Sequence, residues 1–409
     1  YDPENWPAYF TKSAGAEVWD MNNRRYVDFA GGIGAVLLGY ADEAVNAALQ
    51  RRILSGTYST LVNPQEIELA KLLLELHPWA SKVRYARGGG EAMTVAVRIA
   101  RAATGKSGIA FCGYHGWHDW YLAANLGESN ALDGHLLPGL QPTGVPRELY
   151  GTSAPFMYND YASFEKALLK LEGNTAAVVM EPMRSQEPQN EFLEKIKAKC
   201  KEIGAVFVLD EISSGLRYGF PGAHTRLGIE PDMAVYAKAM GNGIPFGAII
   251  GEESLMTKGE ESFISSSYWT DGLGTAAALA VLKKIMEENV FEKVWEKGKL
   301  LQQELKHLSA KYPLCHLIVA GMPSTPNLRF QLDDLSSKAQ QFYVRRMMEQ
   351  GFLVSSIYYL MHAHQPQQIK AMLLALELTL KELENHIQQQ TLETVILSKQ
   401  AQSGFARLA

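Results

Sequence analysis

The middle of the chain alternates short apolar runs with longer stretches of helical periodicity. The apolar runs do not alternate with polar residues, which is typical of strands that are buried on both faces. Between them, apolar residues recur at helical spacing over Glu91–Ala103, Phe192–Ile203 and Thr275–Glu288. Strands separated by helices predict an α/β fold with a mostly parallel central sheet. The predicted strands are Val83–Ala86, Gly108–Cys112, Ala176–Met180, Val206–Asp210, Met233–Ala237 and Gly247–Gly251.

Both ends of the chain have a different pattern. The N-terminal end predicts a hairpin over Glu17–Phe29 and a helix over Ala44–Leu54. The C-terminal end predicts a long amphipathic helix after residue 289, then a strand near Asn327–Leu332, a helix over Ser337–Glu349, a strand near Phe352–Ser356 and a helix over Pro366–Gln388. We therefore predict a small α+β domain formed by residues 1–60 and 289–409, and a large domain formed by residues 61–288.

One long segment, Leu122–Asn159, has no convincing periodicity and is rich in Gly, Pro, Asn and Leu. Loops of this length within compact domains are usually functional lids or mobile segments. A surface excursion without a role is the alternative.

Composition excludes several classes of protein. The chain has 409 residues and a formal net charge of −5, so nucleic acid and anionic membranes are not expected partners. No apolar run approaches the roughly 20 residues that span a bilayer, and the N-terminal residues do not resemble a signal peptide. The cysteines Cys112, Cys200 and Cys315 lack CxxC spacing, which favours a reducing compartment. We therefore expect a cytoplasmic protein.

Lys238 is the first candidate for chemistry. It follows an apolar strand and precedes a glycine turn in Ala-Lys-Ala-Met-Gly-Asn-Gly. Burial at the end of a strand disfavours the ammonium form and lowers the pKa of a lysine, and a neutral amine forms an imine with an aldehyde. A lysine that extends from the strand end into solvent is the alternative.

Asp210 is the second candidate, because it ends the apolar run Val206-Phe-Val-Leu-Asp. In open α/β sheets, ligands collect at the carboxyl ends of the strands. A buried carboxylate needs a cationic partner or several donors. The protonated pyridine nitrogen of pyridoxal phosphate (PLP) is such a partner. A structural ion pair with an arginine such as Arg217 is the alternative.

Two further segments follow predicted strands. Arg87-Gly-Gly-Gly-Glu-Ala opens a helix, where glycine amides and the helix dipole favour an anion such as a phosphate; a simple tight turn is the alternative. In Gly113-Tyr-His-Gly-Trp-His-Asp, Tyr114 or Trp117 can stack on a heteroaromatic ring, and packing in the core is the alternative. His115 and His118 have no third ligand nearby in the sequence, so we expect no metal site.

Taken together, these segments resemble the class III aminotransferases, a family of the fold-type I PLP enzymes, and within it the glutamate-1-semialdehyde aminomutases and related aminotransferases. The resemblance covers most of the chain, from Gly15-Ala-Glu-Val-Trp-Asp to Ser403-Gly-Phe-Ala-Arg-Leu. It implies a large domain with a mostly parallel central sheet, a smaller α+β domain from both termini, and pyridoxal 5'-phosphate as the cofactor.

The resemblance also implies roles for individual residues. Lys238 matches the lysine that forms a Schiff base with PLP, and Asp210 matches the aspartate that binds the pyridine nitrogen. Ile212 and Tyr114 match the residues that pack on the two faces of the ring. The other residues that the resemblance assigns to the cofactor are Gly89 and Gly90 at the phosphate, His115 beside Tyr114, Glu181 in Met-Glu-Pro, and Thr270, which would reach the phosphate of the neighbouring subunit and so implies a homodimer with shared active sites.

The phosphate motif departs from the family pattern. The family's Ser-Gly-Thr-Glu-Ala is Gly88-Gly-Gly-Glu-Ala92 in this chain, so both hydroxyl side chains are absent. The amides of Gly89 and Gly90 remain, but a hydrogen bond to a charged group contributes about 1.5–3 kcal/mol. We therefore expect weaker retention of PLP. The long Leu122–Asn159 segment is a second departure and bears on the substrate.

The leading hypothesis is an aminotransferase that moves an amino group from a small-molecule donor to an aldehyde or ketone acceptor, with a sugar-like acceptor as one option. An aminomutase, in which donor and acceptor are one molecule, and an amino-acid epimerase are the alternatives within the same chemistry. A PLP-fold protein that binds a ligand without transamination is a further alternative, which the triple glycine supports. A nicotinamide dehydrogenase is disfavoured, because a GxGxxG motif that starts at Gly32 would need glycine at Leu37.

Overall fold

The computed structural model describes residues 6–128, 130–135, 139–183 and 185–395. The family-like segment at residues 403–408 and part of the Leu122–Asn159 segment lie outside these residues. Numbered in chain order through the described residues, the strands are β1 (Phe10–Ala14), β2 (Glu17–Asp20), β3 (Arg25–Asp28), β4 (Lys82–Ala86), β5 (Gly108–Cys112), β6 (Ser153–Pro155), β7 (Thr175–Met180), β8 (Val206–Asp210), β9 (Met233–Tyr236), β10 (Gly247–Gly251), β11 (Leu317–Met322), β12 (Thr325–Phe330) and β13 (Phe352–Leu353).

The α-helices are numbered in the same way. They are α1 (Glu43–Leu54), α2 (Pro64–Leu76), α3 (Gly89–Thr104), α4 (Asp119–Leu122), α5 (Tyr161–Lys170), α6 (Phe192–Ile203), α7 (Ala223–Leu227), α8 (Glu253–Lys258), α9 (Gly272–Glu288), α10 (Val290–Lys311), α11 (Ser336–Glu349), α12 (Pro366–Gln388) and α13 (Leu392–Val395). No helix in the described part of the chain combines the length and the apolar character that crossing a bilayer requires.

The large compact unit covers residues 47–282, apart from positions 129, 136–138 and 184, which the structure does not describe. Its seven-stranded sheet has the order β4-β10-β9-β8-β7-β5-β6. The strands from β5 to β9 pair in parallel, whereas β10 is antiparallel to both of its neighbours. The link from Tyr236 to Gly247 is too short for the usual helical crossover between parallel strands, so the chain returns antiparallel. The predicted mostly parallel α/β sheet is confirmed.

Helices cover both faces of this sheet. Ile109, Phe111 and Val179 join the buried face of α3 in one core cluster, whereas Ala110 and Val178 join α6 in another. Successive strand residues point to opposite faces, so one apolar run supplies both clusters. This is why β5, β7 and β8 are buried throughout and show no polar alternation.

The small compact unit combines the two ends of the chain, with described residues 6–46 and 283–395. Its four-stranded sheet has the order β1-β2-β3-β13, and β13 is parallel to β3 with Phe352 opposite Val27. The ring of Phe29 stacks on His364 at 4.4 Å. The units divide the chain after Asn46 and after Leu282, within α9, whereas the predicted domain boundaries follow residues 60 and 288.

The described part of the Leu122–Asn159 segment is folded. It contains β6, which pairs in parallel with β5 at the edge of the sheet. Leu132 is fully buried in the core cluster on the α3 side. The side chain of Asn125 donates to Leu140 O at 2.6 Å and accepts from Leu132 N at 3.0 Å, which fixes the path of the backbone. Polar side chains rather than periodic apolar ones hold this segment, so the periodicity gave no sign of its structure.

Candidate active site

Asp210 and Lys238 lie at the same edge of the sheet. Asp210 is the last residue of β8 and pairs in register with Val235 of β9, and Lys238 follows β9 by two residues. The amine of Lys238 donates to the hydroxyl of Ser213 at 2.8 Å. Ser213 stands three residues after Asp210, so the lysine amine points back toward the segment that carries the acid.

Lys238 has a backbone conformation that is uncommon for its residue type. Its φ is +46°, in the left-handed region, and it opens a short 3-10 turn that ends at Met240. A non-glycine residue in this region carries local strain, and such residues cluster at functional sites. The side chain is only partly buried, but its amine is engaged with Ser213 rather than released into solvent.

Asp210 is paired with a histidine. The carboxylate is 2% exposed, and its Oδ2 lies 2.7 Å from Nδ1 of His115, which is itself 1% exposed. Oδ1 accepts from the amide of Ile212 at 2.9 Å. The histidine of Tyr-His-Gly is therefore an ion-pair partner of Asp210.

A second buried acid anchors the turn after β8. Glu211 accepts hydrogen bonds from the amides of Ala223 and His224 and from the hydroxyl of Ser214, and it faces His224 Nδ1 at 2.8 Å. Burial alone raises the pKa of Glu211, but the bonds from His224 outweigh it and hold that pKa below its usual value. This buried network fixes the backbone immediately beyond Asp210.

The glycine run forms the first turn of α3 and packs against Ile212. Gly88 is the N-cap residue and provides no side-chain hydrogen bond to the turn. A Cβ added at Gly89 would lie 3.0 Å from Cδ1 of Ile212. The amino end of a 16-residue helix, with its dipole and backbone amides, thus lies beside the segment that follows Asp210.

The Tyr-His-Gly segment borders the same site. Tyr114 and Ile212 are both partly buried and pack on the same core cluster, and the ring of Tyr114 stands edge-on to Tyr121 at 5.8 Å. The carboxylate of Glu181 is close to the start of this segment, because a Cβ at Gly113 would lie 2.8 Å from its Oε2. Glu181 is 5% exposed.

Thr270 belongs to a separate turn of the same compact unit. It is exposed and lies in the short 3-10 turn Ser267–Thr270, where its hydroxyl donates to Ser267 O at 3.4 Å. Arg87 holds this turn by donating to Tyr268 O at 2.5 Å and to Asp271 O at 2.9 Å.

Sequence reasoning missed three polar neighbours of the site. Ser213 contacts Lys238, and its place beside the Asp-Glu pair was a usable signal. His135 accepts from Gly113 N at 3.1 Å, but it lies in the segment without periodicity, where no pattern marks it. His118 was considered only as a metal ligand, whereas its ring lies against Gly90, with Nδ1 2.9 Å from a Cβ added there.

These residues fit PLP. Gly89 and Gly90 provide backbone amides at the start of a helix for a phosphate, Asp210 is a buried acid at the same sheet edge, and Lys238 provides an amine. Ile212 provides an apolar surface and Tyr114 provides an aromatic one. A phosphate, a basic ring nitrogen and an aldehyde each find a matching group in this set.

Comparison with known proteins agrees with this fit. Residues 2–353 match the family model for class-III aminotransferases. The chain is 32% identical to a 2'-deamino-2'-hydroxyneamine transaminase of Streptomyces kanamyceticus, over 76% of this chain and 75% of that one. It is 32% identical to a glutamate-1-semialdehyde 2,1-aminomutase of Aquifex aeolicus (strain VF5), over 76% of this chain and 74% of the relative.

Solved structures have the same fold. The PLP internal aldimine form of the FumI protein of Sphingopyxis sp. MTA144 matches with a TM-score of 0.85 and 25% identity, covering 94% of this chain and 91% of that one. An omega-transaminase from Sphaerobacter thermophilus matches with a TM-score of 0.83 and 22% identity, covering 93% and 92% of the two chains. The predicted family, fold and cofactor are confirmed: this chain belongs to the class-III aminotransferases, the PLP-dependent enzymes of this fold.

Proposed function

We propose that this enzyme transfers an amino group from a small-molecule donor to a separate aldehyde or ketone acceptor, with Lys238 and Asp210 as its central residues. One observation carries the proposal. The lysine amine bonds to Ser213 at 2.8 Å, three residues beyond a buried acid that is paired with His115. Amine and acid therefore flank one edge of the sheet, where α/β enzymes bind their ligands.

PLP supplies, when bound, an aldehyde that condenses with amines and a ring that accepts electron density from the substrate. The protein positions that chemistry and moves the protons. The amine of Lys238 would hold the cofactor and, when free, would carry a proton to and from the substrate α-carbon. Asp210 would pair with the ring nitrogen, and His115 would orient the carboxylate for this task.

The backbone around Gly89 and Gly90 would hold the phosphate. Its amides and the positive end of the α3 dipole are preformed donors for an anion. Ile212 and Tyr114 would enclose the ring from its two faces, and Glu181 would line the site beside Gly113. The exclusion of water by these packed side chains strengthens the electrostatic contacts inside the site.

We propose a hydroxylated carbonyl compound as the acceptor. The S. kanamyceticus relative is named for a hydroxylated substrate, 2'-deamino-2'-hydroxyneamine. In this chain, the segment after α4 brings His135 to the backbone of Gly113, at the start of the Tyr-His-Gly motif. His135 and the acid Glu181, both close to that backbone, provide donor and acceptor groups that suit hydroxyl recognition.

An aminomutase is the second candidate, since the A. aeolicus relative carries that name. The two activities differ in their need for a second molecule. In an aminomutase, one substrate gives and receives the amino group, so a separate acceptor is not required. In an aminotransferase, the pyridoxamine form of the enzyme persists until an acceptor arrives.

Half-reactions test the proposal. The purified enzyme is mixed with single amino donors, and its absorbance is followed as the pyridoxal form is converted to the pyridoxamine form. We expect at least one donor to give stable conversion, which a hydroxylated aldehyde or ketone then reverses. Turnover of glutamate-1-semialdehyde without any second substrate, and no stable conversion with any donor, would support the aminomutase instead.

We also propose a homodimer with shared sites. Thr270 is exposed, and so are the neighbouring large apolar side chains Phe263 (89% exposed) and Tyr268 (71%). Leu61 (81%) and Val62 (65%) are exposed in the same compact unit. Exposed large apolar side chains in this number favour an interface with another chain, and Thr270 would then face the partner's cofactor phosphate.

A cytoplasmic location is part of the proposal. Cys112, Cys200 and Cys315 are all unpaired and buried. Burial raises the pKa of each thiol above its ordinary value, which keeps the thiols protonated. Free thiols without disulfides suit a reducing compartment.

A further inference from the structure

The first turn of α3 and the segment after β5 approach each other unusually closely. A Cβ added at Gly116 would lie 2.9 Å from the Cα of Gly90. A Cβ added at Gly90 would lie 2.9 Å from Nδ1 and 3.0 Å from Cε1 of His118. The imidazole of His118 therefore stands where a side chain at position 90 would begin. The hydroxyl residue of the family motif would clash with it here.

The ring of His118 lies against the start of α3. Its Nδ1 is buried and has no hydrogen-bond partner among the described residues. His118 is the N-cap residue of α4, yet its side chain makes no capping bond; its carbonyl instead accepts from Tyr121 N and Leu122 N. The ring stacks on Trp117 at 4.5 Å, which fixes its plane. A buried polar atom without a partner is destabilising, so a ligand that supplies the partner would remove that cost.

The electrostatic surroundings limit what this ring can contribute. Burial lowers the pKa of His118, while Glu91 and Asp119 oppose that effect, and the net change is downward. The ring is therefore neutral near pH 7, with one proton to donate. Such a group offers a single hydrogen-bond donor and no full positive charge.

We propose that His118 donates a hydrogen bond from Nδ1 to the phosphate of PLP and so replaces the hydroxyl that Gly90 lacks. This inference rests on the proposed PLP site at the start of α3. The triple glycine alone predicts weaker retention of PLP. A bond from His118 would compensate for the missing hydroxyl from a different element. Because positions 90 and 116 are both glycine, the imidazole can reach the start of α3.

The test compares PLP with pyridoxal, which lacks the phosphate. The dissociation constants of PLP and pyridoxal for the apoenzyme are measured by fluorescence titration. The stabilisation of the apoenzyme by inorganic phosphate is measured by thermal unfolding. For His118→Ala we expect PLP affinity to fall about 10-fold to 100-fold, as for a hydrogen bond to a charged group. Pyridoxal affinity should stay within about twofold, and the stabilisation of the apoenzyme by phosphate should weaken. His118→Asn places an amide donor near the position of Nδ1 and should restore most of the PLP affinity.

A double variant separates hydrogen bonding from packing. Gly90→Thr alone should weaken PLP binding, because its Cβ meets the imidazole. Gly90→Thr combined with His118→Ala removes that clash, returns the hydroxyl, and should bind PLP more tightly than either single variant. His307→Ala, at an exposed histidine of α10, is the control and should leave both affinities unchanged.

Two results would overturn the role of His118: a His118→Ala enzyme that binds PLP as tightly as the wild type, or one that loses PLP and pyridoxal affinity equally. The second result would assign the ring to packing. Neither affects the proposed function, which depends on covalent attachment of PLP to Lys238. Conversely, a wild-type enzyme that attaches no PLP at Lys238 would contradict the proposed function, whatever its affinity for phosphate.

Discussion

His115 and Asp210 form a buried pair in which each nitrogen of the imidazole faces a defined oxygen atom. Nδ1 of His115 lies 2.7 Å from Oδ2 of Asp210, and Nε2 lies 3.1 Å from the carbonyl oxygen of Cys112. The carbonyl can only accept, so Nε2 carries a proton. Nδ1 then faces a carboxylate, so a second proton lies between these two groups. The imidazole therefore orients the buried carboxylate, which can also accept from a cation such as a protonated ring nitrogen.

Removal of His115 should impair catalysis without preventing PLP attachment. In His115→Leu, the buried carboxylate loses its partner and its orientation. Since a hydrogen bond to a charged group contributes about 1.5–3 kcal/mol, we expect kcat to fall about 10-fold to 100-fold. The KM of the amino donor should change little, because His115 is a positioning residue that acts through Asp210. His115→Asn keeps a donor toward Asp210 and should recover part of kcat; equal losses in both variants would contradict this role.

Two adjacent serines offer a matched comparison. Ser213 accepts from Lys238 Nζ at 2.8 Å, whereas Ser214 donates to Glu211 at 2.8 Å. Ser213→Ala should slow turnover by up to about tenfold, the contribution of one ordinary hydrogen bond, and leave the melting temperature nearly unchanged. Ser214→Ala should instead lower the melting temperature and affect kcat less. Steady-state kinetics and thermal melts of both variants distinguish these outcomes, and a reversed pattern would refute the assignment.

Subunit complementation tests the shared site at Thr270. Lys238→Ala and Thr270→Ala enzymes are unfolded together, refolded as a mixture, and compared with each variant treated alone. In a mixed dimer, one site receives Lys238 from one chain and Thr270 from the other, so it is fully native. We expect the mixture to regain PLP affinity and activity above the sum of its parents. Recovery no greater than that sum would indicate that Thr270 acts within its own chain or not at all.

The buried histidine His77 predicts how stability depends on pH. Its Nδ1 faces Leu73 O at 2.8 Å and its Nε2 faces the hydroxyl of Tyr236 at 2.9 Å, which suits the neutral ring. Burial lowers the pKa of His77 to about 4. An unfolded histidine binds a proton below about pH 6.5, so the unfolded state binds more protons between pH 6.5 and 4. The free energy of unfolding should therefore fall as the pH decreases through that window.

The size of this effect is at most about 3.4 kcal/mol, from 1.36 kcal/mol for each pKa unit. Urea denaturation at several pH values measures it, with His77→Asn as the comparison. The variant should lose part of the dependence between pH 6.5 and 4. The carboxylate of Glu211, whose pKa is lowered, also loses stabilisation on acidification, but below its ordinary pKa of 4.5. Identical slopes for both proteins between pH 6.5 and 5 would contradict the role of His77.

Much of the fold follows from the hydrophobic pattern. The predicted strands Gly108–Cys112, Val206–Asp210 and Gly247–Gly251 match the structure residue for residue, as do the helices Phe192–Ile203 and Pro366–Gln388. These elements have strong apolar signals and clear ends. By contrast, β6 has only three residues and pairs with just one strand, β5, at the edge of the sheet, so it lacks the long apolar run by which strands are recognised.

The site is predictable where a motif lies at a strand end and unpredictable where contacts are long-range. Asp210 and Lys238 each end an apolar run, so sheet topology alone brings them to one edge. The His115–Asp210 bond joins residues 95 positions apart, and only the folded chain reveals it. The contact of His118 with Gly90 is of the same kind: an absent side chain in one element makes room for a ring from another.

The measurement that tests the account most directly is the site of covalent PLP attachment. The purified enzyme is reduced with borohydride, digested and analysed by mass spectrometry. We predict one phosphopyridoxyl modification, on the peptide that contains Lys238, and its loss together with the visible absorbance in Lys238→Ala. Modification of a different lysine, or unchanged absorbance and turnover in Lys238→Ala, would contradict the account.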